Sequence, residues 1–407
     1  MNWFNLNFIC DGLSIFMAVV STSIGILVGI YSIGYMRDWK HKLEYYFLIT
    51  LFILSMIGLV FSGNLVLMYI FWEITAICSW RLIGFSREEE HLKRADKAFI
   101  ITYFGSVLML VGFAIIYSQY NTLDLNNLKN KPIATLPMIL LLLGMFAKSA
   151  QLPLQIWLPD AGVAPTPVTA LLHAAVLVKI GVYAFVRIFN FTFMFPQDTG
   201  ILNIIISVVI ISILASAGAA LVENDIKRIL AYSTISQIGY ILLGFLMNNA
   251  MGIIGGLFFI LTHGIGKAGL FLSAGVVESN THIKDIRKLG GLHKNMPVTS
   301  MSYLLSALSI IGIPPFSGFF AKLMIIISIV QNGYYIVAIL AIFGAVLTML
   351  YLFRLYNCVF LGEQVFSDLK EKTVSMIGVI AVLGILSLIL GIIVNIPVDY
   401  ISKIVGK

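Results

Sequence analysis

The sequence predicts an all-α polytopic membrane protein of about twelve transmembrane helices. Three observations carry this. The 407-residue chain is 59% hydrophobic and 11% charged, where a soluble domain carries about 25% charged residues. Apolar stretches long enough to cross about 30 Å of hydrocarbon as helices recur along its whole length. The every-second-residue alternation of a membrane barrel strand is absent. The segments between the stretches are short, so residues 1–407 read as one transmembrane domain.

Taken in order, the spans are expected near 8–34, 43–62, 65–85, 97–118, 134–157, 164–190, 201–222, 228–246, 251–276, 297–330, 335–359 and 373–395. Basic residues follow the first, third, seventh, ninth and eleventh. Arg37, Lys40 and Lys42 come after the first span, and Arg87, Lys93, Arg94 and Lys97 after the third. Lys227 and Arg228 come after the seventh, Lys284, Arg287, Lys288 and Lys294 after the ninth, and Lys370 and Lys372 after the eleventh. The opposite loops hold little beyond Lys129, Lys131 and Arg187. Positive loops stay in the cytoplasm, which puts both termini outside. This distribution also accounts for the net charge of +7 without a nucleic-acid partner. Cys10, Cys78 and Cys358 lack CxxC spacing and read as small core residues. The N-terminal MNWFNLNFICDGLSIF has no basic n-region and no small-residue cleavage site, so no signal peptide is expected.

Two spans depart from the plain apolar pattern. The fifth contains GMFAKSAQLPLQIWLPDAGVAPTPV (144–168), with Lys148 ahead of Pro153. The tenth, SYLLSALSIIGIPPFSGFFAKLMIIISIV, is interrupted at Pro314 and Pro315 and carries Lys322. Proline removes a backbone donor and obstructs the preceding turn, so both spans should break in mid-membrane. They are five spans apart. A five-helix unit repeated in sequence must therefore enter the membrane the opposite way the second time. Interrupted spans at matching positions point to inverted repeats with ion sites at the breaks. The repeats are expected at 43–190 and 201–360.

Ionisable residues fall well inside spans: Glu73 in the third, Lys148 in the fifth, Lys179 in the sixth, Lys267 in the ninth and Lys322 in the tenth. Each costs about 2.5–3.5 kcal/mol at the bilayer centre on insertion scales, so each should face protein or water. His173 precedes Lys179 by about two turns, and His263 and Lys267 are four apart on one helical face. A single such lysine is explained by snorkelling or a structural pair. Several in one chain, two of them beside broken helices, fit a path for protons better. A lysine in a dry site tends toward neutrality and a neighbouring carboxylate restores its charge, which is the chemistry a proton relay needs. No dinucleotide fingerprint and no Cys/His set with metal spacing is present, so neither a cofactor nor a metal is expected.

The segment AKSAQLPLQIWLPDAGVAPTPVTALLHAAVLVKIGVYAFVR, with ENDIKRILAYSTISQIGY, HGIGKAGLFLSAG and GIPPFSGFFAK, resembles the antiporter-like subunits of respiratory complex I. Multi-subunit sodium/proton antiporters and membrane-bound energy-converting hydrogenases belong to the same family. The resemblance runs from DGLSIFM through nearly the whole chain. It implies that Glu73 is the family's essential glutamate and that Lys148 is the broken-helix lysine paired with it. Lys179 matches the central lysine of the next span, and His173 a polar relay position beside it. His263 and Lys267 match the polar axis joining the halves, and Lys322 the outlet. The resemblance also leads one to expect two spans ahead of DGLSIFM and a long lateral helix after the last span; neither is in this sequence.

The function so implied is translocation of protons, with sodium as the alternative ion, in a prokaryotic cell membrane. The chain has no redox motif, so it is expected to carry no catalytic chemistry and no cofactor of its own. Its partners would be other membrane subunits of a redox-driven complex, and indirectly subunits carrying iron–sulfur clusters. The alternatives are a sodium/proton antiporter subunit without redox partners, and a membrane anchor in which the buried charges are dispensable.

Overall fold

The computed structural model describes residues 7–195, 199–367, 369–371 and 373–406; Lys372 and the first residues of the N-terminal stretch lie outside them. The described residues are helical, with isolated bridges in place of strands. Because the bilayer offers no water to backbone amides, a spanning segment must satisfy them within itself, and helices do so. In chain order these are α1 (Gly12–Tyr35), α2 (Lys42–Phe61), α3 (Leu65–Ile83), α4 (Glu89–Tyr120) and α5 (Thr135–Lys148). Then come α6 (Thr166–Asn190), α7 (Thr199–Val222), α8 (Ile226–Leu246) and α9 (Ala250–Thr281). The chain closes with α10 (Pro297–Ile311), α11 (Ser317–Gln331), α12 (Tyr335–Phe360), α13 (Val374–Ile392) and α14 (Asn395–Val405).

Ten of these helices are long and apolar enough to cross a membrane, and the two broken spans supply the rest: α5 with the turns after it, and α10 with α11. The boundaries shift where polar residues extend a helix beyond the hydrocarbon. Thus α4 starts at Glu89 rather than near 97, and α9 runs on to Thr281. The short α14 was not expected; its basic last turn holds Lys403.

The fold is layered in plan. The apolar windows of α6, α8 and α9 are 100%, 94% and 89% buried, whereas those of the other long helices are 33–50% buried. Three inner helices are therefore ringed by outer ones whose remaining faces carry exposed Ile, Leu, Val and Phe, as a lipid-facing surface requires. Small residues bring the broken spans close to their neighbours. A methyl group at Gly105 of α4 would stand 2.4 Å from Ala147 of α5, and one at Gly266 of α9 would stand 2.9 Å from Ile310 of α10. Two bridges repeat in the same way: Asn64 caps α3 and pairs with Asp124 after α4, and Asp225 caps α8 and pairs with Asp285 after α9. Both pairs have the same separation along the chain.

Three expectations need correction. Of the cysteines, Cys78 is a core residue, but Cys10 is exposed and Cys358 half-buried, because each sits near a helix end or an outer face. Arg187, counted as an outer-loop charge, is 4% exposed inside the end of α6 and binds Asp11 and Ser14. Lys227, counted as a loop charge, is 1% exposed.

Candidate functional site

The polar row starts at Glu73, midway along α3. Its side chain is half-buried, and its Oε1 is buried without a hydrogen-bond partner. Lys148 is the last helical residue of α5 and is fully buried. Its Nζ donates to the Trp72 carbonyl at 3.3 Å and lies 5.4 Å from the Trp72 ring centre. The Lys148 nitrogen thus rests on the backbone carbonyl just before Glu73.

The break after Lys148 is sharper than the prolines alone required. Ala150 takes a left-handed φ of 51°, and α5 stops five residues ahead of Pro153. The exposed helix end is then closed from within: Gln151 N donates to the Phe146 carbonyl and Trp157 Nε1 to that of Ala147, both at 2.9 Å. These carbonyls are the negative pole of the helix, a favourable place for a cation.

Beside this break runs α6, whose Gly181 faces Met145 and Ser149 so closely that an added methyl would stand 2.0 Å from Ser149 Oγ. One half-turn earlier, Lys179 is fully buried and its Nζ has no hydrogen-bond partner. Gly264 of α9 makes room for it, since a methyl there would stand 3.0 Å from that nitrogen. α6 is not a plain helix: Leu171–Ala175 forms a π turn, with His173 at its centre. Such turns concentrate at functional sites. The His173 ring stacks on Phe271 at 4.5 Å, and both its nitrogens are buried and unpartnered.

α9 continues the row. His263 is buried with both nitrogens unpartnered and meets the Phe259 ring edge-on at 6.0 Å. Lys267 donates to the Leu230 carbonyl of α8 at 3.0 Å. Lys322 also stands over the Phe259 ring, 5.7 Å from its centre, and 4.8 Å from that of Tyr240. Lys322 is 4% exposed, and its Nζ donates to the Ile310 and Ile311 carbonyls at 2.8 and 3.3 Å. It does not face lipid. It reaches back across the Pro314–Pro315 break to the end of α10, so both break lysines sit on backbone carbonyls beside interrupted helices.

Of the seven titratable residues singled out from the sequence, six are buried and Glu73 is half-buried, and they stand on α3, α5, α6, α9 and α11. Further buried polar groups were not anticipated: Gln151, which donates to the Ile235 carbonyl at 3.2 Å, and Gln237, which donates to Thr348 at 3.1 Å. Their one legible signal was an uncharged polar residue in mid-span. Unpartnered buried atoms accompany the row, among them Ser149 Oγ, Gln151 Oε1, Ser236 Oγ and Ser306 Oγ. Buried polar atoms without protein partners are where ordered water is expected.

A helical membrane protein with two broken spans and such a row through its inner helices defines the antiporter-like class of membrane subunits. Comparison with known proteins agrees. Residues 62–348 match the family described as NADH:quinone oxidoreductase/Mrp antiporter, transmembrane. Residues 3–47 match the N-terminal family of complex I chain 5. The chain belongs to this family. It is 38% identical over 387 residues to NADH-quinone oxidoreductase subunit L of Buchnera aphidicola subsp. Acyrthosiphon pisum, covering 89% of this chain and 61% of that protein. It is 35% identical over 408 residues to Na(+)/H(+) antiporter subunit A1 of Staphylococcus haemolyticus, covering 91% and 50%. Among solved structures, the Mrp complex from Dietzia matches with a TM-score of 0.91 at 24% identity, over 98% of this chain and 84% of that one. The chain thus spans less than two thirds of the length of these two curated relatives. It is a multi-pass membrane protein, and the relatives are subunits of multi-subunit assemblies.

Proposed function

We propose that the chain moves protons across a prokaryotic cell membrane as the antiporter-like subunit of a redox-driven complex, such as a complex I relative or an energy-converting hydrogenase. The observation that carries this is the burial of Lys148, His173, Lys179, His263, Lys267 and Lys322 inside spans, with half-buried Glu73 next to the Trp72 carbonyl that Lys148 binds. A charge change at a neighbouring subunit acts on Glu73, which alters the hold on Lys148. A proton then passes from Lys148 toward Lys179, onward by way of Lys267, and out at Lys322. Electrons are handled by partner subunits with iron–sulfur clusters, a reading supported by the sequence's lack of a redox motif. The halves 43–190 and 201–360 act as inverted repeats; the matching bridges and the matching glycine contacts of α4 and α9 support that reading.

Protons are favoured over sodium by the state of the broken helices. Sodium needs oxygen ligands, yet the Phe146 and Ala147 carbonyls at the first break already accept N–H donors, and the Ile310 and Ile311 carbonyls at the second accept from Lys322. The second reading, sodium/proton antiport without redox partners, is favoured by the antiporter relative and by the Mrp fold match. Reconstitution of the purified complex into vesicles with proton- and sodium-sensitive dyes tests both. Proton movement on addition of an electron donor supports the first. Sodium efflux driven by a pH gradient alone supports the second, and neither movement sinks both.

A further inference from the structure

Where α6 and α8 begin and α9 ends, a second buried charge cluster stands apart from the row. Lys227 Nζ lies 2.7 Å from Glu278 Oε2, with side-chain exposures of 2% and 16%. The ammonium also donates to the Ala164 carbonyl at 3.2 Å. Glu278 Oε2 accepts from Thr166 Oγ1 at 2.9 Å, and Thr166 accepts from Tyr35 at 3.5 Å. Outside the pair, Lys284, 40% exposed, approaches Glu278 Oε1 at 3.4 Å. One carboxylate thus touches a lysine in solvent and a lysine in the interior.

The cluster points along α9 at the row. Glu278 follows Lys267 by eleven residues, which on a 3.6-residue helix returns it to nearly the same face, three turns away. Between them that face carries Phe271, Ala274 and Gly275. Gly275 fits closely against Thr166 and Tyr31, where an added methyl would stand 2.5 Å from Thr166 Cγ2. On α6, His173 lies two turns inward of Thr166 and stacks on Phe271. On α8, Leu230, whose carbonyl holds Lys267, lies three residues inward of Lys227. The seam between these helices runs from the ion pair past Gly275, Ala274 and the Phe271 ring to Lys267 and His173.

We propose that Lys227 and Glu278 form the gate of a proton inlet on the basic-loop side, feeding Lys267; this rests on the proton-translocation reading above. In the resting pair Glu278 is a carboxylate and Lys227 an ammonium. A proton from bulk water adds to the Glu278 carboxylate, which leaves Lys227 without its counter-charge. Lys227 passes its proton along the seam to the neutral amine of Lys267. The Glu278 carboxyl then gives its proton to the Lys227 amine and the pair re-forms. The net change is one proton moved from bulk water to Lys267.

The test separates this from a purely structural tie. A buried ion pair replaced by apolar residues of similar size leaves stability unchanged or improved. Lys227→Met with Glu278→Met should therefore assemble in the complex while proton flux falls by about tenfold or more; wild-type flux in that variant overturns the gate. A second arm needs no transport. In a background lacking Cys10, Cys78 and Cys358, Ala274→Cys should react with a small water-soluble thiol reagent from the basic-loop side. It should react faster when Glu278→Gln mimics the protonated carboxyl. Equal labelling with Glu278 and with Glu278→Gln overturns the gate even if the Met pair fails to assemble. Faster labelling in a complex whose wild type moves no protons leaves the gate standing and removes the translocation reading instead.

Discussion

Glu73 and Lys148 occupy adjoining positions without a direct contact, the Trp72 carbonyl standing in as the partner of the ammonium. If they work as a unit, either loss should disable the same step. Glu73→Gln keeps the shape and removes the charge, and proton flux in reconstituted vesicles should fall by about tenfold or more with assembly intact. Lys148→Ala should do the same. The double variant should cost little more than either single change, and additive losses in that cycle would mean independent sites. Gly264 tests the next position. An added methyl would stand 3.0 Å from Lys179 Nζ and 2.6 Å from Ile24 Cδ1, so Gly264→Ala must displace one of them. Overpacking of this kind costs about 1–3 kcal/mol. Thermal unfolding of the complex should show that loss, and a drop in flux with it would mark Lys179 rather than Ile24 as the group displaced.

At the scale of helices, what matters is where each one stops. α10 ends at Gly312 with a left-handed φ of 90°, and that glycine also passes 3.2 Å (for an added methyl) from Lys322 Cδ. Gly312→Ala should therefore carry the left-handed penalty of about 1–2 kcal/mol and disturb the lysine as well. Gly333 is the control, since its φ is 78° with nothing within 4 Å. Gly333→Ala should lower stability by a similar amount and leave flux alone. Equal flux in the two variants would show that Lys322 does not depend on this turn. The interruptions at Pro153 and Pro314 could be read from the sequence. The π turn around His173 could not, because LLHAAVLV holds neither proline nor glycine and the turn arises from packing against α1 and α9.

At the scale of the whole molecule, Asp11 caps α1 and ties it to α6 by binding Arg187. Burial pushes the Asp11 carboxyl up, but the hydrogen bonds and charge of Arg187 outweigh it and hold the group at about 2. A depressed carboxylate stabilises the fold above its unfolded value of about 3.9 and loses that contribution as pH falls toward 2. Unfolding of the detergent-solubilised protein should steepen across this acid window, and Asp11→Asn should flatten that part of the curve. Topology makes a second prediction at this scale. Cysteines placed at Lys288 and at Asn130 should be labelled from opposite sides of the membrane, Lys288 from the cytoplasm. Labelling of both from one side would break the inverted arrangement of α4 and α9.

The sequence alone determined the membrane class, the span order, the two breaks and the seven titratable residues of the row. The reason is that each of these is a local cost: an apolar run, a proline or a charge in hydrocarbon is conspicuous wherever the rest of the chain goes. Only the tertiary structure decided which charges meet. Lys227 and Arg187 read as loop cations because they stand at span ends, yet packing of α8 on α9 and of α6 on α1 buries them against Glu278 and Asp11. In the same way, the proximity of Lys148 to Glu73 was legible through resemblance, but its rest on the Trp72 carbonyl was not. Partners far apart in the chain are chosen by how helices pack, and in a membrane that choice is made by small residues such as Gly105, Gly181, Gly264 and Gly266, which set how closely two backbones approach.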